Sequence, residues 1–260
     1  MQTHRGTRGT TLQWSYLDGD GDFRSDEVCR LRDEADIIVT NPPFSLFREF
    51  LAWIMEADKK FLILGNKNAV SYKEVFPLIR DNKLWAGKTE WAGGMWFETA
   101  DTSDVDMVIN GRNMKNVPSV WFTNLDHGRR HQPLQLMTMA ENIKFSKHKE
   151  VRGLGYPHYE NYDAIEVPFT DAIPSDFNGV MGVPKSFVDK YCPEQFEIIG
   201  IAEGDSGKSL GLLPFDRALK KLNPSLRDGQ LYYMENDMPI KPFARILIRH
   251  RKDTRGFVRG

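Results

Sequence analysis

Four residues carry the clearest chemistry in this sequence: Asn41, Pro42, Pro43 and Phe44, in the stretch "DIIVTNPPFSLF". Asn41 offers a side-chain carbonyl, and Pro42 offers a backbone carbonyl with no N–H of its own. Two acceptors held rigidly can take both hydrogens of an exocyclic amine, which turns the nitrogen lone pair out of conjugation and towards an electrophile. Phe44 adds an apolar face on which a flat heterocycle stacks. The prolines restrict the backbone, so the acceptors are placed before a substrate arrives. The bland alternative is a stiff loop in which Phe44 staples the next helix.

The flanking elements must position this elbow. Residues 35–40, "ADIIVT", read as a short buried strand bounded by turn residues. In "SLFREFLAWIMEAD" the residues Leu46, Phe47, Phe50, Leu51, Ile54 and Met55 form one stripe at helical spacing, with Ser45 as the expected N-cap. "KKFLILGN" (59–66) predicts a second buried strand, and "SYKEVFPLIRDN" (71–82) a second helix that Pro77 breaks or kinks. Strand, helix, strand, helix predicts a parallel α/β unit with right-handed crossovers. Upstream, "LRDEA" ends a short helix that begins after "GDGDFRSDE". Past residue 90 the runs "MWFET", "SVWFTNLD", "AIEVP", "FEIIGIA" and "PFARILIR" are short and strand-like, between loops rich in Gly, Pro, Asn and Asp. That predicts mixed or antiparallel structure, with a boundary near residues 100–116.

Composition is that of a globular chain: 260 residues, 40% hydrophobic, 27% charged, net charge −1. No apolar run approaches the ~18 residues of a membrane helix, and the start "MQTHRGTRGTTLQW" lacks the apolar core of a secretory signal. Cys29 and Cys192 have neither metal nor redox spacing, which fits a reducing, cytoplasmic setting. Charge is segregated. Eight acidic residues lie between Asp18 and Asp36, whereas seven Lys or Arg follow from Lys241 against Asp253 alone. Further basic clusters, "DHGRRH" (126–131) and "KFSKHKEVR" (144–152), make Arg129, Arg130, Lys147 and Lys149 candidate phosphate contacts. A solvated face or a disordered basic tail is the plainer reading of such runs. The histidines show no ligand spacing, and "DGDGD" lacks the terminal Glu of an EF-hand loop, since position 12 counted from Asp18 is Cys29.

"TNPPFSLFREF" resembles the amino-methyltransferase signature. With "GDGDFRSDE", "KKFLILGNKNAVSYKEVFPLI", "WFTNLDHGRR", "KFSKHK", "YDAIEVP" and "GVMGVPKSFVDKYCPEQFEIIG", the chain from about residue 17 to about 252 resembles the EcoRI-like adenine-specific DNA methyltransferases. The resemblance implies methyl transfer from S-adenosylmethionine to the exocyclic N6 of an adenine flipped out of duplex DNA, commonly in a restriction–modification setting. It gives Asn41, Pro42, Pro43 and Phe44 the role of holding and stacking that base. It makes Asp22, with Asp20 as competing carboxylate, an acceptor for the cofactor's adenine amine, and places Phe23 beside that ring. No metal is implied.

The implied fold is α/β: a partial methyltransferase-type, Rossmann-like sheet followed by a mixed α+β target-recognition region. The catalytic domain is expected over residues 1–110 and the DNA target-recognition domain over 111–260. The family's cofactor domain begins upstream of the region matched, and "MQTHRGTRGTTLQWSY" reads as polar and without regular structure, so the catalytic domain is expected to be amino-terminally incomplete. Three other readings follow: an inactive DNA-binding module, one half of a split enzyme whose partner is a separately encoded amino-terminal half, and a nonfunctional fragment. A permuted order, with "FEIIGIAEGDSGKS" (196–209) as the cofactor turn, is a further possibility. As a phosphate loop that stretch fails, because Ala202 stands where the first glycine is required.

Overall fold

The computed structural model describes residues 2–6, 12–89, 91 and 93–251. The basic run beyond Arg251 lies outside the described residues. The first elements correct an expectation. β1 (Gln2–Gly6) pairs antiparallel with β2 (Leu12–Tyr16), where no regular structure was expected. The period-two alternation Leu12, Trp14, Tyr16 against Gln13 and Ser15 is a strand signal hidden by the polar composition around it.

Helix α1 (Asp26–Glu34) starts at Ser25, whose Oγ accepts the Val28 N–H at 3.3 Å. The chain then forms β3 (Ile37–Thr40), a 3-10 turn over Phe44–Leu46, α2 (Phe47–Glu56) and β4 (Lys60–Asn66). β3 and β4 pair in parallel from Ile37↔Lys60 to Thr40↔Ile63, as the strand–helix–strand pattern predicts. The burial expected of β3 is not found: it is the outermost strand of its sheet, and Ile37 and Val39 are exposed. Helix α2 buries Phe47, Phe50, Leu51 and Ile54. Ser45 does not cap it: the cap position is Leu46, with no side-chain bond. The reason is the extended backbone that the prolines enforce through Pro43 (φ −55, ψ 129), after which a tight turn is closed by Leu46 N–H to the Pro43 carbonyl at 2.9 Å.

The helix expected over 71–82 shortens to α3 (Phe76–Arg80), preceded by a 3-10 stretch over Lys67–Ser71. Pro77 stands in its first turn, where its missing N–H is harmless, so it starts the helix instead of breaking it. β5 (Trp85–Ala86) follows, then an excursion of three strands, β6 (Met95–Glu98), β7 (Met107–Ile109) and β8 (Arg112–Val117), in the order β6-β8-β7. Asn110 and Gly111 both take positive φ, which makes the two-residue turn between β7 and β8. β9 (Ser119–Thr123) returns antiparallel to both β4 and β5, giving the order β3-β4-β9-β5. The first sheet therefore reaches residue 123. β3, β4 and β5 all end at one edge, the edge that carries Asn41–Phe44.

A capping box of Thr138 and Glu141 opens α4 (Met139–Phe145). A second sheet collects β10 (Ala164–Glu166), β11 (Val180–Pro184), β12 (Phe196–Ala202) and β15 (Arg245–His250) in the order β10-β11-β15-β12. Around it lie α5 (Gly204–Ser209), α6 (Arg217–Leu222) and the hairpin of β13 (Tyr233–Glu235) with β14 (Met238–Ile240). One hydrophobic cluster runs through both sheets, from Phe47, Ile63 and Phe122 to Ile165, Phe187 and Phe196. The architecture is mixed α/β with several sheets and few helices. Among the described residues no helix is long and apolar enough to cross a membrane.

Candidate active site

The elbow leaves β3 at Thr40 with Pro42 buried and Asn41, Pro43 and Phe44 exposed. Among the described residues, neither the Asn41 side chain nor the Pro42 carbonyl has a hydrogen-bond partner. Two acceptors on consecutive residues are thus left free, the second on a buried proline. The anchor is Phe47, fully buried with its ring 5.4 Å from that of Phe122 in β9. In open α/β sheets ligands bind beyond the carboxyl ends of the strands, which is where these atoms stand.

A cleft of about 1190 Å³ opens beside the elbow. Asn41, Pro42 and Pro43 line it together with Asp20, Asp22, Phe23, Val28, Leu31 and the whole of β3. The structure therefore brings Asn41, Pro42 and Pro43 and the three cofactor candidates into one cavity, whereas Phe44 does not line it. Phe23 packs edge-on against Phe50 at 5.2 Å and Trp53 at 5.6 Å, making an aromatic wall. Glu27 holds the loop by accepting the backbone N–H groups of Asp18 at 3.0 Å and Gly19 at 3.1 Å.

Asp22 is less free than the sequence suggests. Arg24 donates to it from Nη2 at 2.7 Å, from Nε at 3.0 Å and from its backbone N–H at 2.8 Å. That fork pulls the Asp22 carboxyl down to about 2, so the group is a carboxylate at neutral pH. Asp20 accepts the Asp22 backbone N–H at 3.0 Å and keeps its second oxygen for other partners. Sequence reasoning missed Arg24 and Trp53. The Asp-Phe-Arg spacing was the signal for the first, and the second sits on α2 outside the apolar stripe read from the sequence.

The proposed phosphate contacts fall in two places. Arg129 donates to the Lys88 carbonyl at 3.0 Å and to Asp189 at 2.9 Å, and Arg130 bonds Asp126 at 3.1 Å and lies 3.8 Å over the Trp85 ring. Both guanidinium groups are engaged within the protein, and Arg129 ties its loop to the segment before β12. Lys147 and Lys149 lie on the exposed loop after α4. Lys147 reaches Asp171 at 2.7 Å, beside a His148 ring stacked 3.7 Å from Phe169. Segment 196–209 lies in the second sheet and its helix, and it contributes no residue to the cleft.

The profile of a family described as adenine-specific methyltransferase EcoRI matches residues 3–251. The chain belongs to this family. It is 43% identical over 217 residues to the Type II methyltransferase M.EcoRI of Escherichia coli, covering 78% of this chain and 62% of that protein. It is 38% identical over 198 residues to the Type II methyltransferase M.MpnI of Mycoplasma pneumoniae, covering 74% of this chain and 59% of that one. The chain thus spans about 60% of the length of these relatives. No solved structure matches it.

Proposed function

We propose that the chain is the base-gripping part of a DNA adenine-N6 methyltransferase that takes its methyl group from S-adenosylmethionine. The observation that carries this reading is the pair of unpartnered acceptors, Asn41 Oδ1 and the Pro42 carbonyl, on an elbow at the wall of a large cleft. The residues present fit the adenosine portion of the cofactor: carboxylates at Asp20 and Asp22 for an amine donor, and the Phe23 ring against an aromatic wall. The cofactor, when bound, supplies an electrophilic methyl group on a sulfonium. Asn41 and Pro42 accept the two hydrogens of adenine N6, and this directs the lone pair out of the ring plane. Phe44 stacks on the extruded base and offsets the few kcal/mol that unstacking costs.

In this proposal β3, β4, β5 and β9 are part of a Rossmann-like methyltransferase sheet. Its catalytic part is residues 1–110 extended by the return strand β9, and target recognition belongs to the following region. Duplex DNA is the partner, met in a cytoplasmic restriction–modification setting and held in part by Lys147 and Lys149, while Arg129 and Arg130 brace the junction behind them. A second polypeptide completing the cofactor site is the other partner proposed. A calorimetric titration of S-adenosylmethionine into the chain with duplex DNA present tests the cleft. Saturable binding that Phe23→Ala and Asp22→Ala weaken supports it, and binding indifferent to both substitutions contradicts it.

A further inference from the structure

We propose that the end of α4 and the loop after it, residues 144–154, form a contact surface for duplex DNA. Phe145 and Leu154 enter the minor groove, and Lys144, Lys149 and Arg152 take the phosphates beside it. Phe145 is 63% and Leu154 77% exposed. Their surroundings are cationic: the segment holds Lys144, Lys147, Lys149 and Arg152 against Glu150 alone, in a chain of net charge −1. Among the described residues Lys149 and Arg152 have no ion-pair partner, and the Lys144 ammonium lies 4.9 Å over the Phe145 ring.

The two apolar side chains stand on a fixed frame. Asn142 is fully buried, and its carbonyl accepts the Ser146 N–H at 2.9 Å at the end of α4. Ser146 and Val151 are buried, the Ser146 hydroxyl accepts the His148 N–H at 3.2 Å, and the His148 ring stacks on Phe169. Lys147 shares its charge with Asp171. The Gly153 N–H donates to the Ile143 carbonyl at 2.8 Å, which folds residue 154 back to the helix end that carries Phe145. Large apolar side chains held in water on so anchored a loop mark a surface that meets a partner.

Charge and groove width decide the occupant. The same cationic patch on two copies repels itself, which opposes self-pairing. Duplex DNA offers phosphates to the cations, and its minor groove admits Phe and Leu side chains as apolar wedges. That groove is about 6 Å wide against about 12 Å for the major groove, so its two phosphate rows lie close to whatever enters it. Lys144 adjoins Phe145 and Arg152 stands two residues before Leu154, the spacing such flanking contacts need. The inference rests on the reading of duplex DNA as the partner, and it adds the surface that grips it.

The test follows binding of the full chain to a labelled mixed-sequence duplex by fluorescence anisotropy as salt is varied. Lys149→Ala and Arg152→Ala each lower the slope of log affinity against log salt by about 1, as one lost phosphate contact requires. Phe145→Ala and Leu154→Ala each weaken binding by about fivefold or more at an unchanged slope, because an apolar contact releases no counterions. All four side chains are exposed, so the fold is kept. Lys221→Ala and Phe243→Ala, exposed on other segments, leave affinity and slope as in the wild type. Wild-type behaviour in all four variants overturns this surface and leaves the proposed function standing, since DNA is then held elsewhere. No binding by the wild type overturns both. Binding to phosphatidylserine vesicles that the four substitutions abolish, with DNA binding untouched, assigns the surface to a membrane and likewise overturns the proposal.

Discussion

Phe44 and Phe47 stand three residues apart on the same elbow and take opposite environments: Phe47 is 1% exposed against Phe122, and Phe44 keeps 36% of its surface open. Phe47, and not Phe44, is the staple that ties the elbow to the sheet. Phe47→Ala is expected to cost about 3–5 kcal/mol of stability in denaturant unfolding. Phe44→Ala should leave the unfolding midpoint within about 0.5 kcal/mol of wild type. It should also weaken fluorescence enhancement from a 2-aminopurine target by the ~1–3 kcal/mol of a lost stacked base.

Gly65 sits in β4 where a Cβ would overlap the Phe47 ring and touch Phe122. The close approach lets the staple lie flat on the sheet. Gly65→Ala should therefore destabilise the fold by about 1–3 kcal/mol through overpacking, measured by urea unfolding.

The second sheet carries a buried ion pair whose balance differs from that of surface pairs. Arg245 reaches Glu166 from Nε at 3.0 Å and Nη2 at 2.5 Å, and the Tyr159 hydroxyl donates to the same carboxylate. Removing one partner leaves a buried charge alone, so Arg245→Met should cost about 3–5 kcal/mol. The double substitution Glu166→Leu with Arg245→Met should recover most of that loss, and a double-mutant cycle by denaturant unfolding measures it.

His131 bridges Asp126 at 2.8 Å and Glu194 at 2.7 Å, with Arg130 bonded to the same Asp126. The hydrogen bond to Asp126, then that to Glu194, raises the His131 pKa above its ordinary value. A raised folded-state pKa contributes stability that is fully present below the unfolded value of about 6.5. That stability is lost as pH rises through the folded value. His131→Gln should thus remove part of the fall in melting temperature between about pH 6 and about pH 9, with the larger loss at the acidic end. An unchanged pH profile would show that the bridge carries no net stability.

The elbow and the β3–α2–β4 unit were legible because their signals are local: an apolar run, two prolines and one helical stripe. The environment of Arg129 and His131 was not, since their partners Asp189 and Glu194 lie some sixty residues away and no local pattern announces them. The turn at Asn110-Gly111 had a readable dipeptide, but the polar flanks of β7 and β8 masked their alternation. The clefting of Asp20, Asp22 and Phe23 with Asn41 depends on how α1 and the loop before it pack against α2, which a sequence shows only through the family resemblance.

The central claim is that Asn41 and Pro42 grip adenine for methylation. The direct measurement follows a labelled methyl group from S-adenosylmethionine into duplex DNA, with nucleosides separated after digestion. The chain is assayed alone and with the unspanned portion of M.EcoRI added. The account predicts label in N6-methyladenine in at least one of these mixtures, and a fall of about 10²-fold or more with a folded Asn41→Ala. Label in cytosine, no label in either mixture, or a fully active Asn41→Ala would contradict it.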